Sequence, residues 1–197
     1  MKNDIIYIVG VDHLIQYRNN IVPVNLFTEF TDYIADIIKK YDVKTVAEEF
    51  NREYLDDVYF SPEATVESAA VKAGVEHFFC DPGNDDRSRL GIPYFADIRN
   101  MMKEKYGIHE KFISDINIRK KIDRETIAES KKYWQIREEY WYDIISDMPR
   151  GNILFICGHE HVLRFKDLLR QNGRNAEVLE TFWQIEVFSD YTKLGLS

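Results

Sequence analysis

Along the chain, short apolar runs alternate with longer stretches in which apolar residues recur three and four apart. The runs at residues 5–9 (Ile-Ile-Tyr-Ile-Val) and 153–157 (Ile-Leu-Phe-Ile-Cys) are apolar throughout. That suits strands buried on both faces, as in a parallel sheet. Mixed runs at 43–49, 75–80 and 176–179 read as further strands. Between them, Leu26, Phe30, Tyr33, Ile34, Ile37, Ile38 and Tyr41 mark one face of a helix with Asn25 as its cap. Residues 63–73 form a shorter helix ended by Gly74, and Leu163, Phe165, Leu168 and Leu169 lie on a helix stopped by Gly173. Asp81-Pro82-Gly83 turns the chain into a polar surface loop at 84–89. Residues 93–148 are helical without a strand. Their last helix, after Asp123, places Trp134, Arg137, Trp141, Ile144, Ile145 and Met148 on one face. The tail from Phe182 to Ser197 is aromatic-rich and fits strand or helix equally. The expected fold is one α/β domain, a mainly parallel sheet flanked by helices, with a helical insertion at about 93–148.

The N-terminal run is repeated later in the chain. Residues 6–15 align with residues 154–163: apolar strand, glycine, two residues, histidine, two aliphatics, with an acid just before the histidine. Each copy continues into a helix and a short strand that ends in acid, Glu48 and Glu49 in one and Glu180 in the other. This predicts two related halves, each with a strand–Gly-x-x-His–helix unit, whose histidines converge. Open α/β sheets place ligands outside the carboxyl ends of their strands. The alternative is that the histidines only cap the helices that follow them.

Composition narrows the picture. The chain has 197 residues, 45% hydrophobic and 30% charged, as an ordinary globular domain does. Its net charge of -8 argues against a nucleic-acid groove, which needs concentrated Lys and Arg. No run approaches membrane-spanning length. The two cysteines, Cys80 and Cys157, fit reduced thiols and a cytoplasmic location. Aromatic residues make up 14%, enough for a core plus a pocket or a self-association patch, so a homodimer is compatible with the composition.

Two histidines and a carboxylate point to a metal. Imidazole and carboxylate suit Mn, Co, Zn or Fe with open positions for water, and such an ion hydrolyses without a Ser or Cys nucleophile. His13, His161 and Glu49 are the expected ligands of a divalent transition metal. Asp12, Glu48 and Glu160 are the candidates for a general base or a partner of the ligands. Adjacent carboxylates such as Glu48 and Glu49 are costly to bury unless a cation or a donor meets them, the alternative being a solvated strand end. Arg137, on the apolar stripe, is either a structural salt bridge or a clamp for an anionic group or oxyanion. Arg87 or Arg89 would reach an anionic group from the polar loop. Cys157 precedes the strand-breaking glycine and is not expected to act as a nucleophile.

With these residues in view, the chain resembles the TraB/PrgY/GumN–Tiki family and its wider relatives, the erythromycin-esterase and ChaN-like proteins, marked by two Gly-x-x-His motifs. Here these are Gly10-Val11-Asp12-His13 and Gly158-His159-Glu160-His161. The family's glutamate after its second strand looks like Glu49, with Glu48 one register away. Its Asp followed by Arg looks like Asp81 and Arg87, and its Arg-acid pair looks like Arg137-Glu138. The family usually has small residues where Asp12, His159 and Glu160 stand, and Asn or Asp at Glu139, so the chain resembles a divergent branch. The resemblance implies a hydrolase of amide or ester bonds acting on a small molecule or peptide, with Asp81 and Arg87 as substrate contacts; His159 is a further candidate contact. Some members of the wider group look like metal-dependent peptidases, others hydrolyse a macrolide ester, and one binds haem; fold alone does not choose among them. Three rivals stay open: a metal-free esterase built on a His-acid pair, a ligand- or partner-binding module without turnover, and the His-x-His pattern of barrel amidohydrolases. The last needs roughly 250 residues, more than this chain has.

Overall fold

A computed structural model describes residues 4–17, 22–55, 64–109, 113 and 115–184. Its strands are β1 (Ile5–Val11), β2 (Val43–Glu48), β3 (Glu76–Phe79), β4 (Asn152–Gly158) and β5 (Asn175–Glu180). They form one five-stranded sheet in the order β3-β2-β4-β1-β5, and every pairing is parallel. The α/β class and the flanking helices are therefore as the sequence predicts.

The long apolar strands occupy the middle of the sheet because only there are both faces covered. On one face Val9, Val11, Val46, Leu154 and Ile156 meet α2 (Val24–Lys40) and α4 (Thr65–Ala73), through Phe30, Ile34 and Val66 among others. On the other, Ile6, Ile8, Ala47, Phe155 and Cys157 meet Trp141 and Ile145 of α8 (Trp134–Ser146) and Phe165 and Leu169 of α9 (Val162–Gln171). The rings of Trp141, Phe155 and Phe165 lie within 5.6 Å of one another. Each buried side chain of this size contributes about 1.5–3 kcal/mol through removal from water. Among the described residues, no helix is long and apolar enough to cross a membrane.

Several local expectations are corrected. The cap of α2 is Pro23, whose fixed φ suits a helix start; Asn25 lies in the first turn and bonds Glu29 at 3.0 Å. Residues 84–89 are not a loop but most of α5 (Asn84–Leu90). The helix after Asp123 is two: α7 (Ile116–Ser130) ends in a 3-10 turn, Lys131–Tyr133, before α8 begins. The predicted helix start at Glu63 and the tail from residue 185 onward fall outside the described residues.

The chain divides into two compact units. One, Asn84–Arg137, comprises α5, α6 (Phe95–Lys105), α7 and the first turn of α8. Within it α6 packs on α7 around Ile98, Met102 and Ile122. The other holds the whole sheet, and α8 from Glu138 onward belongs to it. Among the described residues, α1 (His13–Gln16) and α3 (Arg52–Tyr54) are single turns at the carboxyl ends of β1 and β2.

Candidate functional site

The central strands β1 and β4 are neighbours, with Val11 opposite Gly158. The chain leaving β2 stays beside β4, because the Glu49 amide donates to the Ile156 carbonyl at 2.8 Å. Glu49 thus arrives next to Gly158, whose backbone N–H donates to Glu49 Oε2 at 2.7 Å. The other oxygen, Oε1, lies 3.8 Å from His13 Nε2 and 3.7 Å from His161 Nε2. The three residues expected to hold a metal are therefore brought together at the carboxyl edge of the sheet. Neither histidine caps its helix by its side chain. Asp12 caps α1, accepting from Leu14 N at 2.9 Å, and no side chain caps α9.

Both rings are held by their far nitrogen. His13 Nδ1 meets Gln16 Oε1 at 2.7 Å, and His161 Nδ1 meets Glu138 Oε1 at 2.8 Å. Amide and carboxylate oxygens only accept, so each Nδ1 carries a hydrogen and each ring turns its Nε2 toward Glu49. Arg164 Nε also donates to Glu138 Oε1, at 3.1 Å. The edge of the Trp141 ring packs against His161 with centroids 5.0 Å apart, while its Nε1 donates to Asp81 Oδ1 at 3.1 Å. The two rings differ in access: the His161 side chain is 5% exposed and that of His13 46%. The site opens on the His13 side.

The neighbouring carboxylate, Glu48, faces away from this point. Its Oε2 accepts from Gln16 Nε2 at 3.0 Å and its Oε1 from His77 Nε2 at 2.9 Å, with Gln16 and Glu48 both buried. The cost of burying two adjacent carboxylates is thus met by separate donors, an amide and an imidazole for Glu48 and a backbone N–H for Glu49.

Of the other candidates, His159 is exposed and stacks flat on Phe182, rings 4.1 Å apart and 8° from parallel. Glu160 is exposed in the turn between β4 and α9. Asp81 is buried beside Trp141. Arg87 and Arg137 belong to the helical unit. There Arg87 is buried, donates to the Pro93 carbonyl at 3.2 Å and lies over the Tyr94 ring, whereas Arg137 is half-buried. Both thiols are buried and free, and burial pushes that of Cys80 up, away from the thiolate.

Two site residues, Gln16 and His77, were not anticipated, and Glu138 was named only as the acid of the Arg137-Glu138 pair. Glu138 had a visible signal, since it lies four residues after Trp134 and three before Trp141 on the apolar stripe of α8. The inward set is Glu138, Trp141 and Ile145. Gln16 is three residues beyond His13, one helical turn away. His77 carried no signal, because its partner is set by the pairing of β2 with β3.

No group of three His, Cys, Asp or Glu side chains among the described residues is close enough to form a ready metal site. The donor spacings of 3.7 and 3.8 Å exceed by a few tenths the value of about 3.4 Å expected around a tetrahedral ion with 2.1 Å bonds. Searches of family models, curated proteins and solved structures find no significant match to this chain.

Proposed function

We propose that the protein is a metal-dependent hydrolase of amide or ester bonds, acting on a small molecule or peptide. His13, His161 and Glu49 would hold one divalent transition metal, Mn, Co, Zn or Fe. The observation that carries this reading is the convergence of two imidazole Nε2 atoms on one buried carboxylate oxygen. The donor set fits: two neutral nitrogens and one carboxylate leave coordination positions open, and both rings have their Nδ1–H fixed by an oxygen. At 3.7–3.8 Å the Nε2 atoms lie beyond hydrogen-bond reach of Glu49 while still within ion-pair distance, so no direct hydrogen bond occupies the space between them. A bound ion would supply Lewis acidity toward a carbonyl and lower the pKa of a water.

The chain's own residues have distinct tasks in this reading. Glu138 keeps the proton on His161 Nδ1 and fixes the orientation of that ring. The Gly158 N–H holds Glu49 by one oxygen and leaves the other facing the rings. Asp12 is committed to its helix cap, so the exposed Glu160 is the favoured proton carrier at the mouth. Substrate would enter over His13. A cytoplasmic location is part of the proposal.

A second reading has one observation in its favour. The buried Glu138–His161 pair is the acid-His arrangement of a metal-free general base. Metal analysis of protein purified without chelator, followed by calorimetry, separates the two. Wild type should bind a divalent transition metal, and His13→Ala or His161→Ala should each weaken it at least about tenfold, as loss of a ligand does. Equal affinity in both variants, or activity unchanged in chelator, would remove the metal from the proposal.

A further inference from the structure

We propose that Gln16 is a positioning residue whose amide, oriented by Glu48 and His77, dictates which nitrogen His13 offers to the site; its consequence for metal binding rests on His13 being a ligand. A glutamine amide can be turned either way, and only its partners decide which end faces where. Gln16 lies between His13 Nδ1 at 2.7 Å and Glu48 Oε2 at 3.0 Å. A carboxylate is an acceptor only, so the NH2 end must face Glu48 and the carbonyl must face His13. The reverse orientation would set two acceptor oxygens against each other in a buried place, with Gln16 1% and Glu48 0% exposed. Glu48 cannot turn to escape this, because its other oxygen is held by His77 Nε2 at 2.9 Å. All three hydrogen bonds therefore run one way, toward Glu48. His77 donates to it, Gln16 donates to it, and His13 Nδ1–H donates to Gln16. The last of these leaves Nε2 as the lone-pair nitrogen. Glu48 thus acts through Gln16, not on substrate. His161 reaches the same tautomer by a direct carboxylate, Glu138, so the two ligands are fixed by different devices.

Histidine labelled with 15N reports the tautomer directly, in metal-free protein at about pH 8, where an ordinary imidazole is neutral. His13 is assigned by its loss in His13→Ala. Wild type is expected to show His13 as the Nδ1–H form; an Nε2–H form overturns the proposal without any variant. Gln16→Met should release the ring to a mixture and weaken Zn2+ binding about 10–100-fold, as loss of a ligand's hydrogen-bond partner does. Gln16→Glu alone sets two carboxylates together and should be worse. The exchanged pair Gln16→Glu with Glu48→Gln restores every donor and acceptor, because the new amide accepts from His77 and donates to the new carboxylate, which accepts from His13. It should recover both the Nδ1–H form and Zn2+ affinity, and it keeps the charge should Gln16→Met fail to fold. A folded exchanged pair without the Nδ1–H form, or Gln16→Met with the wild-type tautomer, overturns the proposal. An Nδ1–H form that responds as expected in a protein that binds no Zn2+ upholds the positioning role and sinks the metal reading instead.

Discussion

At the scale of single residues, the two motif glycines have the same sequence role and different physical ones. Neither is required by a left-handed backbone; each is required by what a β-carbon would strike. At Gly158 it would lie 2.9 Å from His13 Nε2 and 3.3 Å from Glu49 Oε2. At Gly10 it would lie 2.1 Å from the Thr181 backbone oxygen and 2.6 Å from Val162 Cγ2. The half-exposed His13 ring can swing aside, but the backbone after β5 cannot, since Trp183 N is bonded to the Gly10 carbonyl at 2.8 Å. Gly158→Ala should therefore leave the urea midpoint near wild type and abolish metal binding, with His13 displaced. Gly10→Ala should lower stability by about 1–3 kcal/mol, the usual cost of overpacking, with an unchanged denaturant slope. Full metal affinity in a folded Gly158→Ala would show that the ring beside it is not a ligand.

At the scale of elements, what was legible depended on whether burial left a period in the sequence. β1 and β4 are covered on both faces, so their apolar runs stood out; α2 and α9 carry stripes and were equally plain. The polar stretch that became α5 buries only Arg87 of its residues, and one buried position has no period. The site divides the same way. His13, Glu49 and His161 follow strand ends, where the strand–turn–helix pattern pointed, whereas Gln16, Glu48 and His77 meet across α1, β2 and β3, and contacts between distant segments leave no local trace. In the helical unit, α6 and α7 are joined by charge: Glu125 accepts from Lys105 Nζ at 2.7 Å and from the Tyr106 hydroxyl. The Lys105 hydrogen bond, then that of Tyr106, holds the Glu125 carboxyl below its usual range, and Glu125 raises Lys105. A depressed carboxyl adds stability above its unfolded value, about 4.3, which is lost as pH falls through the folded one; a raised lysine adds stability below about 10.4, lost as pH rises. The stability difference between wild type and Glu125→Gln should thus be constant near neutrality and vanish in acid. A difference that persists undiminished at low pH would mean that the variant acts through packing.

At the scale of the molecule, the strand order interleaves the two halves. β1 lies between β4 and β5, both from the second half, and β4 lies between β2 and β1, both from the first. Exchange of β1 with β4 and of β2 with β5 maps the four strands β2-β4-β1-β5 onto themselves in reverse order, an approximate twofold along the strand direction. That exchange carries one Gly-x-x-His unit onto the other and explains why their histidines meet. The symmetry stops at the acid: Glu49 reaches the rings, whereas in the second half the Thr181 backbone approaches the glycine and Glu180 is exposed. The same strand order makes the halves dependent on each other. A break in the exposed turn after Pro149 gives fragments 1–149 and 150–197. In the first, β1 has no strand to pair with, and only β2 and β3 remain adjacent; in the second, β4 and β5 are not neighbours at all. Isolated strands with unpaired backbone groups do not persist in water. Neither fragment should therefore melt cooperatively alone. Mixed, they should assemble into a folded pair with one transition by circular dichroism. Metal binding should then return only in the mixture, since His13, Glu49 and Glu138 come from one fragment and Gly158 and His161 from the other. A cooperative transition in fragment 150–197 by itself would show that the second half folds without the first, and the interleaved sheet would not be the source of the site.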